Sequence, residues 1–136
     1  MIAGIGTDIV EIDRIRRIVE KHGQHFLERI LRPAEIELCT RSSSNSQPLR
    51  YERIAGRFAA KEALSKAFGT GISEKIHFQN IEITNTSQGC PVLKLCEAAE
   101  SLRLERGISK IHLSISHADH YATAIVVLES DSHPPT

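Results

Sequence analysis

Tryptophan is absent from the 136 residues, and the chain has only two tyrosines and four phenylalanines. The folded interior must therefore consist mainly of aliphatic side chains. Long apolar runs are also absent: the longest unbroken stretches, such as Ala124 to Leu128, are far shorter than the roughly 20 residues that a membrane-spanning helix requires. The composition excludes a transmembrane protein and predicts one compact soluble domain over residues 1–136.

Cysteine is scarce, and a secretory signal is not recognisable at the start of the chain. The three cysteines are an odd number, and the spacing from Cys90 to Cys96 matches no zinc-ligand pattern. The first residues, MIAGIGTDIVEI, have no basic segment ahead of the apolar ones and contain the acidic Asp8. We therefore expect a cytoplasmic protein with reduced, structural thiols.

Net charge is zero, with 17 basic residues against 17 acidic ones, but the basic residues are unevenly distributed. Arg14, Arg16, Arg17 and Lys21 lie close together, with only Glu20 opposing them. Such a cluster is either a solvated helix face or a surface that docks an acidic partner. The neutral total charge and the low aromatic content argue against a nucleic-acid partner.

Apolar periodicity and turn residues predict an α+β fold, in which a small mixed or antiparallel sheet packs against helices. Helices are predicted over about 13–23 with Asp13 as N-cap, 24–31, 33–40, 49–68 and 96–107. Strands are predicted over 2–12, 78–84, 91–95, 110–117 and 121–128. The Ser-rich stretch 41–48 is predicted to be a surface loop, and residues 130–136 a frayed tail.

The longest predicted helix, 49–68, is apolar on nearly all sides, as in a buried or interfacial helix. Phe58 lies in one arc of its surface, and Leu64 lies in the opposite arc. Glu62 projects beside apolar neighbours, and Lys66 follows on the same face. Two readings stay open here: a surface pair at i and i+4, or a buried carboxylate that needs a partner or a metal.

Asp8 interrupts an apolar strand and follows Gly4 and Gly6, which permit close backbone approach. A strand-end or edge-strand aspartate is the simplest interpretation. Together, however, Asp8 and Glu62 would supply two hard oxygen ligands for Mg²⁺, which commonly takes one or two carboxylates and completes its shell with water and phosphate oxygens. This second interpretation implies a substrate that carries phosphate.

Two apparent sites near the C-terminus fail on geometry. Ser116 and His117 are adjacent in a predicted strand and point to opposite faces, which argues against a catalytic triad. His112 and His117 also lie on opposite faces, which argues against zinc. Since His117 shares its face with Ile115, the pattern favours a core histidine.

Three segments together resemble a known family: GIGTDIVEIDRI at 4–15, FAAKEALSKAFGTG at 58–71 and LSISH at 113–117. They are similar, in order and spacing, to the short form of the 4′-phosphopantetheinyl transferases, the holo-[acyl-carrier-protein] synthases. The resemblance spans nearly the whole chain. It implies transfer of 4′-phosphopantetheine from coenzyme A to a serine of apo-acyl-carrier protein in fatty acid biosynthesis, with release of adenosine 3′,5′-bisphosphate and a requirement for Mg²⁺.

The resemblance also implies roles for individual residues. The implied catalytic and metal-binding residues are Asp8, Glu62 and Lys66, with the two carboxylates holding the metal. The implied contacts to coenzyme A are Ser65, Lys66, Gly69, Thr70, Gly71 and His117. The implied docking residues for the carrier are Arg14 and Arg29. The glycines of the GTG segment would leave backbone N–H groups free to line a phosphate-binding concavity.

Several alternatives stay open at this point. The base that deprotonates the carrier serine is either Glu62 or a metal-bound water. A homotrimer with sites between subunits is implied by the resemblance alone. A Mg²⁺-dependent hydrolase of coenzyme A or a nucleotide would use Asp8, Glu62 and Lys66 but not the Arg14 cluster. A binding module without turnover is the third possibility.

Overall fold

The computed structural model describes residues 1–41 and 48–131. Its strands coincide with the segments richest in Ile and Val, and its helices begin and end near Gly and Pro. The helices are α1 (Ile12–His22), α2 (Gln24–Ile30), α3 (Pro33–Leu38), α4 (Tyr51–Ala67) and α5 (Glu97–Glu105). The strands are β1 (Ile2–Glu11), β2 (Ile81–Asn85), β3 (Pro91–Leu95), β4 (Ile108–His117) and β5 (Tyr121–Ser130).

The larger sheet is antiparallel and has the order β1-β5-β4, so that β1 is an edge strand. In its register, Ala124 of the central strand lies opposite Asp8 on one side and Ile115 on the other. Small and aliphatic residues of β5 alternate with exposed ones, as expected for a strand with one buried face. The buried residues of this strand are Ala122, Ala124, Val126, Leu128 and Ser130.

Helix α4 lies across the inner face of this sheet and packs against β1 and β5. The closest approach is at Gly4 and Gly6, where an added methyl group would overlap the carbonyl oxygens of Ala67 and Ala63, respectively. The backbone of β1 therefore rests directly on the backbone of α4. This contact confirms the expectation that the two glycines permit close approach, and it brings the β1 side chains next to the helix.

The other elements surround α4. Strands β2 and β3 form a separate antiparallel hairpin, α3 packs on β2, and α5 packs on β4. Phe68 is the only aromatic residue in the buried core of the described chain, which confirms the predicted aliphatic interior. The described residues contain no helix that is both long and apolar enough to span a membrane.

The predicted α+β class and the buried long helix are confirmed, and three details are corrected. Asp13 lies in the first turn of α1, whose N-cap is Glu11, and it pairs with Arg16 and Arg17. Residues 78–80 form a 3₁₀ turn, because the His77 and Asn80 side chains cap it, and the strand begins only at Ile81. Strand β5 continues to Ser130, whereas residues 132–136 of the predicted tail and 42–47 of the predicted loop lie outside the described residues.

Candidate active site

An ion pair joins β1 to α4 at the point where the two elements touch. Lys66 Nζ lies 3.0 Å from Oδ1 of Asp8 and donates a second hydrogen bond of 3.2 Å to the carbonyl oxygen of Thr7. The Asp8 side chain is only 17% exposed because it lies on the inner face of its strand, as Gly4 and Gly6 do. The lysine therefore pairs across elements, instead of within the helix as the i, i+4 interpretation predicted.

Glu62 lies one turn before Lys66 on α4 and is partly buried. Burial raises the pKa of its carboxyl group, the negative charge of Asp8 raises it further, and Lys66 opposes both effects. Because Glu62 lies one turn from Lys66 and Lys66 contacts Asp8, the two carboxylates and the ammonium group lie in one small region. The structure thus brings together Asp8, Glu62 and Lys66, although Asp8 and Lys66 are 58 positions apart in sequence.

The donor set fits a hard divalent cation that shares its shell with a phosphate. Asp8 and Glu62 supply two carboxylates, and their mutual repulsion would be relieved by a cation between them. No cluster of three or more His, Cys, Asp or Glu residues suited to a metal occurs in the described chain. A site with two protein ligands suits Mg²⁺, which keeps several waters or phosphate oxygens, and does not suit a closed structural metal site.

The GTG segment after α4 is organised by one carbonyl group. The amides of Thr70 and Gly71 both donate to the carbonyl oxygen of Ser65, at 3.1 and 3.2 Å, and the Gly69 amide donates to Lys66 at 2.9 Å. The expectation that these N–H groups are free to line a phosphate concavity is therefore wrong, because they satisfy the last carbonyls of the helix.

Ser65 itself is fully buried, and its hydroxyl donates to the carbonyl oxygen of Glu62 at 2.7 Å. The hydroxyl and carbonyl groups of Ser65 thus link Glu62 to Thr70 and Gly71. The coenzyme A contacts expected of Ser65, Gly69, Thr70 and Gly71 stay predictions.

A cavity of about 390 Å³ opens between α4, the β2–β3 turn and the end of β4. His117 lines this cavity and is exposed, so the interpretation of His117 as a core histidine is wrong. The earlier residues on the same face of β4, such as Ile115, are half-buried, whereas His117 lies at the end of the strand. Two arginines, Arg53 and Arg57, also line the cavity. Arg57 is buried, and its guanidinium donates to the Ile83 carbonyl oxygen at 3.0 Å and to Asn85 Oδ1 at 2.7 Å.

Sequence reasoning missed these two arginines. Their spacing of four residues on a helix, which puts both on one face, was the available signal. Their guanidinium groups give the cavity a cationic wall that suits a ligand with phosphate groups. Glu52, which also lines the cavity, pairs with Arg41.

Arg14 on α1 and Arg29 on α2 lie away from this cavity. Both are exposed, and Arg29 lines a shallow hollow with His22, His25 and Phe26. Within residues 1–41 and 48–131, Arg14 forms no ion pair, whereas its neighbours Arg16 and Arg17 are held by one aspartate. These two docking residues remain predictions.

Residues 4–126 match the family model of the 4′-phosphopantetheinyl transferase superfamily. The chain belongs to this superfamily. The matched span contains all three motifs, and the family predicted from them is confirmed. As a 4′-phosphopantetheinyl transferase, the chain is an enzyme that moves a phosphopantetheine group.

Individual members of the superfamily are similar over nearly their whole length. The holo-[acyl-carrier-protein] synthase of Maridesulfovibrio salexigens is 47% identical over 129 residues, which are 95% of this chain and 99% of that protein. The crystal structure of the synthase from Neisseria meningitidis is 41% identical, with a TM-score of 0.84 and coverage of 96% and 100%. The synthase from Bacillus anthracis, solved in complex with CoA (3′,5′-ADP), is 41% identical, with a TM-score of 0.76 and coverage of 96% and 99%.

Proposed function

We propose that this transferase moves 4′-phosphopantetheine from coenzyme A to a serine of an apo-acyl-carrier protein, as a single catalytic domain acting in fatty acid biosynthesis in the cytoplasm. The observation that carries the proposal is the meeting of Asp8, Glu62 and Lys66 at the β1–α4 contact. In the reaction, the serine oxygen bonds to the phosphorus that carries pantetheine, and the bond from that phosphorus to the leaving adenosine 3′,5′-bisphosphate breaks. The serine proton passes to a base, for which Glu62 and a water bound at the site are the candidates.

Asp8 and Glu62 would hold Mg²⁺ in this scheme, since their carboxylates are close enough to repel each other. Bound Mg²⁺ supplies charge neutralisation for the diphosphate of the substrate. Lys66 has more than half of its side chain exposed, so its ammonium group can turn from Asp8 to the diphosphate. There it would stabilise the negative charge that develops on the leaving group.

The cationic cavity would take the nucleotide end of coenzyme A. Its arginines, Arg53 and Arg57, and the neighbouring His117 suit the phosphate groups of that end. The GTG segment follows the other end of α4, so Gly69, Thr70 and Gly71 would line the site beyond Lys66 and not the path from the cavity. The ligand would then extend from the cavity along α4 to Asp8 and Glu62.

The acyl-carrier protein would dock on the basic face of α1 and α2. Arg14 and Arg29 are exposed there, and carrier proteins that are acidic would be attracted to this face. An electrostatic contact of this kind weakens as salt concentration rises. The hollow beside Arg29 would receive an apolar side chain of the carrier against Phe26.

A homotrimer is the assembly we propose. The outer face of the larger sheet exposes isoleucines that a monomer would leave in contact with water: Ile5 is 62% exposed, Ile9 is 65% exposed and Ile125 is 42% exposed. Contiguous apolar surface of this kind is typical of a protein interface. Sedimentation velocity of the purified chain, with Ile9→Lys as the disrupting variant, tests the assembly.

Intact-mass analysis tests the reaction. An apo-acyl-carrier protein incubated with coenzyme A, Mg²⁺ and this chain should gain the mass of one phosphopantetheine, and should gain nothing with EDTA or with Lys66→Ala. Consumption of coenzyme A without a change in carrier mass would instead support the hydrolase. If several apo-carriers stay unmodified while coenzyme A binds, an acyl-carrier protein is not the acceptor of this transferase.

A further inference from the structure

Lys61 is a charged residue with no contact to solvent, although it directly precedes Glu62. Its side chain is 0% exposed. Its Nζ donates three hydrogen bonds, to the carbonyl oxygens of Ile30 at 2.8 Å and Phe78 at 2.9 Å and to Oε1 of Glu35 at 2.7 Å. Each of the three ammonium protons therefore has a partner, and those partners come from α2, the 3₁₀ turn and α3.

Glu35 extends this network to two further backbone groups. Its Oε1 also accepts a hydrogen bond of 2.8 Å from the Arg32 amide, and its Oε2 accepts one of 3.0 Å from the Ile83 amide. Glu35 is 0% exposed, like its lysine partner. One buried ion pair thus ties α4 to α2, α3, the 3₁₀ turn and β2.

The position of this pair on the helix connects it to the proposed active site. Consecutive residues project about 100° apart on a helix, so any rotation of α4 moves Lys61 and Glu62 together. With the Glu62 carboxylate roughly 5 Å from the helix axis, a rotation of about 10° would displace it by about 1 Å. Displacements of that size lower catalytic rates by up to about 100-fold.

The opposite side of α4 is held by β1. Gly4 and Gly6 press the strand against the backbone of the helix, and Asp8 follows on the same face. This contact fixes the distance between strand and helix, but glycine has no side chain that could lock the rotation of the helix. The Lys66 side chain, which pairs with Asp8 on this side, is 52% exposed and long enough to follow a rotation. The directional hydrogen bonds of Lys61 supply that constraint from the other side.

Stability alone does not require such a pair. Buried ion pairs can often be replaced by apolar residues of similar volume without loss of stability, because the desolvation of the charges offsets their attraction. An apolar pair would fill the same space, but it would not direct three hydrogen bonds from one atom.

We propose that Lys61 is a positioning residue for the reaction: its buried pair with Glu35 sets the rotation of α4 and thereby holds the Glu62 carboxylate beside Asp8. The proposal rests on the proposed role of Glu62 as a metal ligand. It assigns no contact between Lys61 and substrate.

The test replaces both charges at once with apolar residues, in the double variant Lys61→Met with Glu35→Leu. We expect it to be less stable than the native chain, because four backbone groups lose their hydrogen-bond partners. In the folded variant, KM for the carrier should be unchanged and kcat lower by about 10- to 100-fold. Isothermal titration of Mg²⁺ into the protein with coenzyme A, in the absence of a carrier, should give a Kd at least about tenfold weaker. This binding measurement does not depend on turnover.

Leu102→Ala is the matched control, because Leu102 is buried on α5 and takes no part in the hydrogen bonds of Lys61 and Glu35. It should lower the melting temperature while leaving kcat and the Mg²⁺ Kd unchanged. If the double variant does not fold, the single variant Lys61→Arg is measured at 15 °C in the same way, because it keeps a positive charge beside Glu35 but cannot direct three hydrogen bonds from one nitrogen. Native kcat and native Mg²⁺ affinity in either folded variant would overturn the proposal.

Glu62→Gln separates this proposal from the proposed function. Full transfer activity in Glu62→Gln would refute the metal-binding role of Glu62, and the positioning role would fail with it. If Glu62→Gln is inactive and weakens Mg²⁺ binding while the double variant behaves as the native chain, only the positioning role is refuted.

Discussion

The contact between β1 and α4 is tested most directly by adding one methyl group, in Gly6→Ala. The new carbon would lie 2.6 Å from the amide nitrogen of Ala67 and would overlap the carbonyl oxygen of Ala63. Both are backbone atoms of a helix and cannot turn aside. Because carbon atoms normally stay about 3.5 Å from such neighbours, β1 must move away from the helix by about 1 Å.

The magnitude follows from two opposing effects. Overpacking of this kind costs about 1–3 kcal/mol, and the smaller conformational freedom of alanine in the unfolded chain returns about 0.4–1 kcal/mol. A net loss of about 1–2 kcal/mol lowers the melting temperature of a domain of this size by roughly 3–10 °C. The same shift carries Asp8, two residues further on, away from Glu62, so transfer should fall by up to about 100-fold.

Thermal melting at a fixed protein concentration, together with the intact-mass assay, checks both parts. Gly107→Ala is the control, because Gly107 has a positive φ of 67° and the substitution costs about 1 kcal/mol through backbone strain away from the site. Its melting temperature should fall while its activity stays native. A Gly6→Ala variant with native melting temperature and native activity would refute the argument that backbone contact sets the spacing of the carboxylates.

Three further predictions concern single side chains. Glu62→Gln should abolish transfer, yet raise the stability of the metal-free protein at pH 8 by less than about 1 kcal/mol. Because burial and Asp8 raise the pKa of Glu62, this gain in stability should vanish as pH falls below about 4. Equal melting temperatures of the variant and the native protein at pH 8 would contradict the prediction. Arg14→Ala should raise KM for the carrier about tenfold at low salt and leave KM for coenzyme A unchanged, whereas equal effects on both would exclude a docking role. Burial raises the pKa of the Cys39 thiol to about 11. Ellman's reagent at pH 8 should therefore label the exposed Cys90 in the folded protein, and Cys39 only after unfolding. Rapid labelling of two thiols including Cys39 would contradict the burial of Cys39.

Helical periodicity was sufficient to single out Glu62 and Lys66. On a helix that is apolar on nearly all sides, a charged side chain lies beside apolar neighbours and needs a charged partner or a metal. The interruption of an apolar strand was sufficient to single out Asp8. The ion pair between Lys66 and Asp8 was not predictable in the same way. Its partners belong to elements that meet only through tertiary packing, whereas the i, i+4 rule considers neighbours within one helix.

The errors at His117 and at the GTG segment have a common physical origin. Strand alternation gives the face on which His117 lies, but not the point along that face where the covering helix ends and a cavity begins. Glycine content gives the conformational freedom of Gly69 and Gly71, but not which carbonyl groups compete for their amides. Both questions depend on where α4 begins and ends relative to its neighbours, and the sequence pattern alone does not contain that information.

The glycine contact between β1 and α4 separates the chemistry of this enzyme from its choice of partner. Main-chain atoms on both sides set the distance between strand and helix, whereas the buried pair of Lys61 and Glu35 would set the rotation of the helix. The helices that would meet the carrier, residues 12–30, lie outside this contact. They meet Lys61 through the main-chain carbonyl oxygen of Ile30, which does not depend on the side chain at that position. A chimera that exchanges those helices with a relative would thus inherit a new carrier preference while retaining the original chemical step.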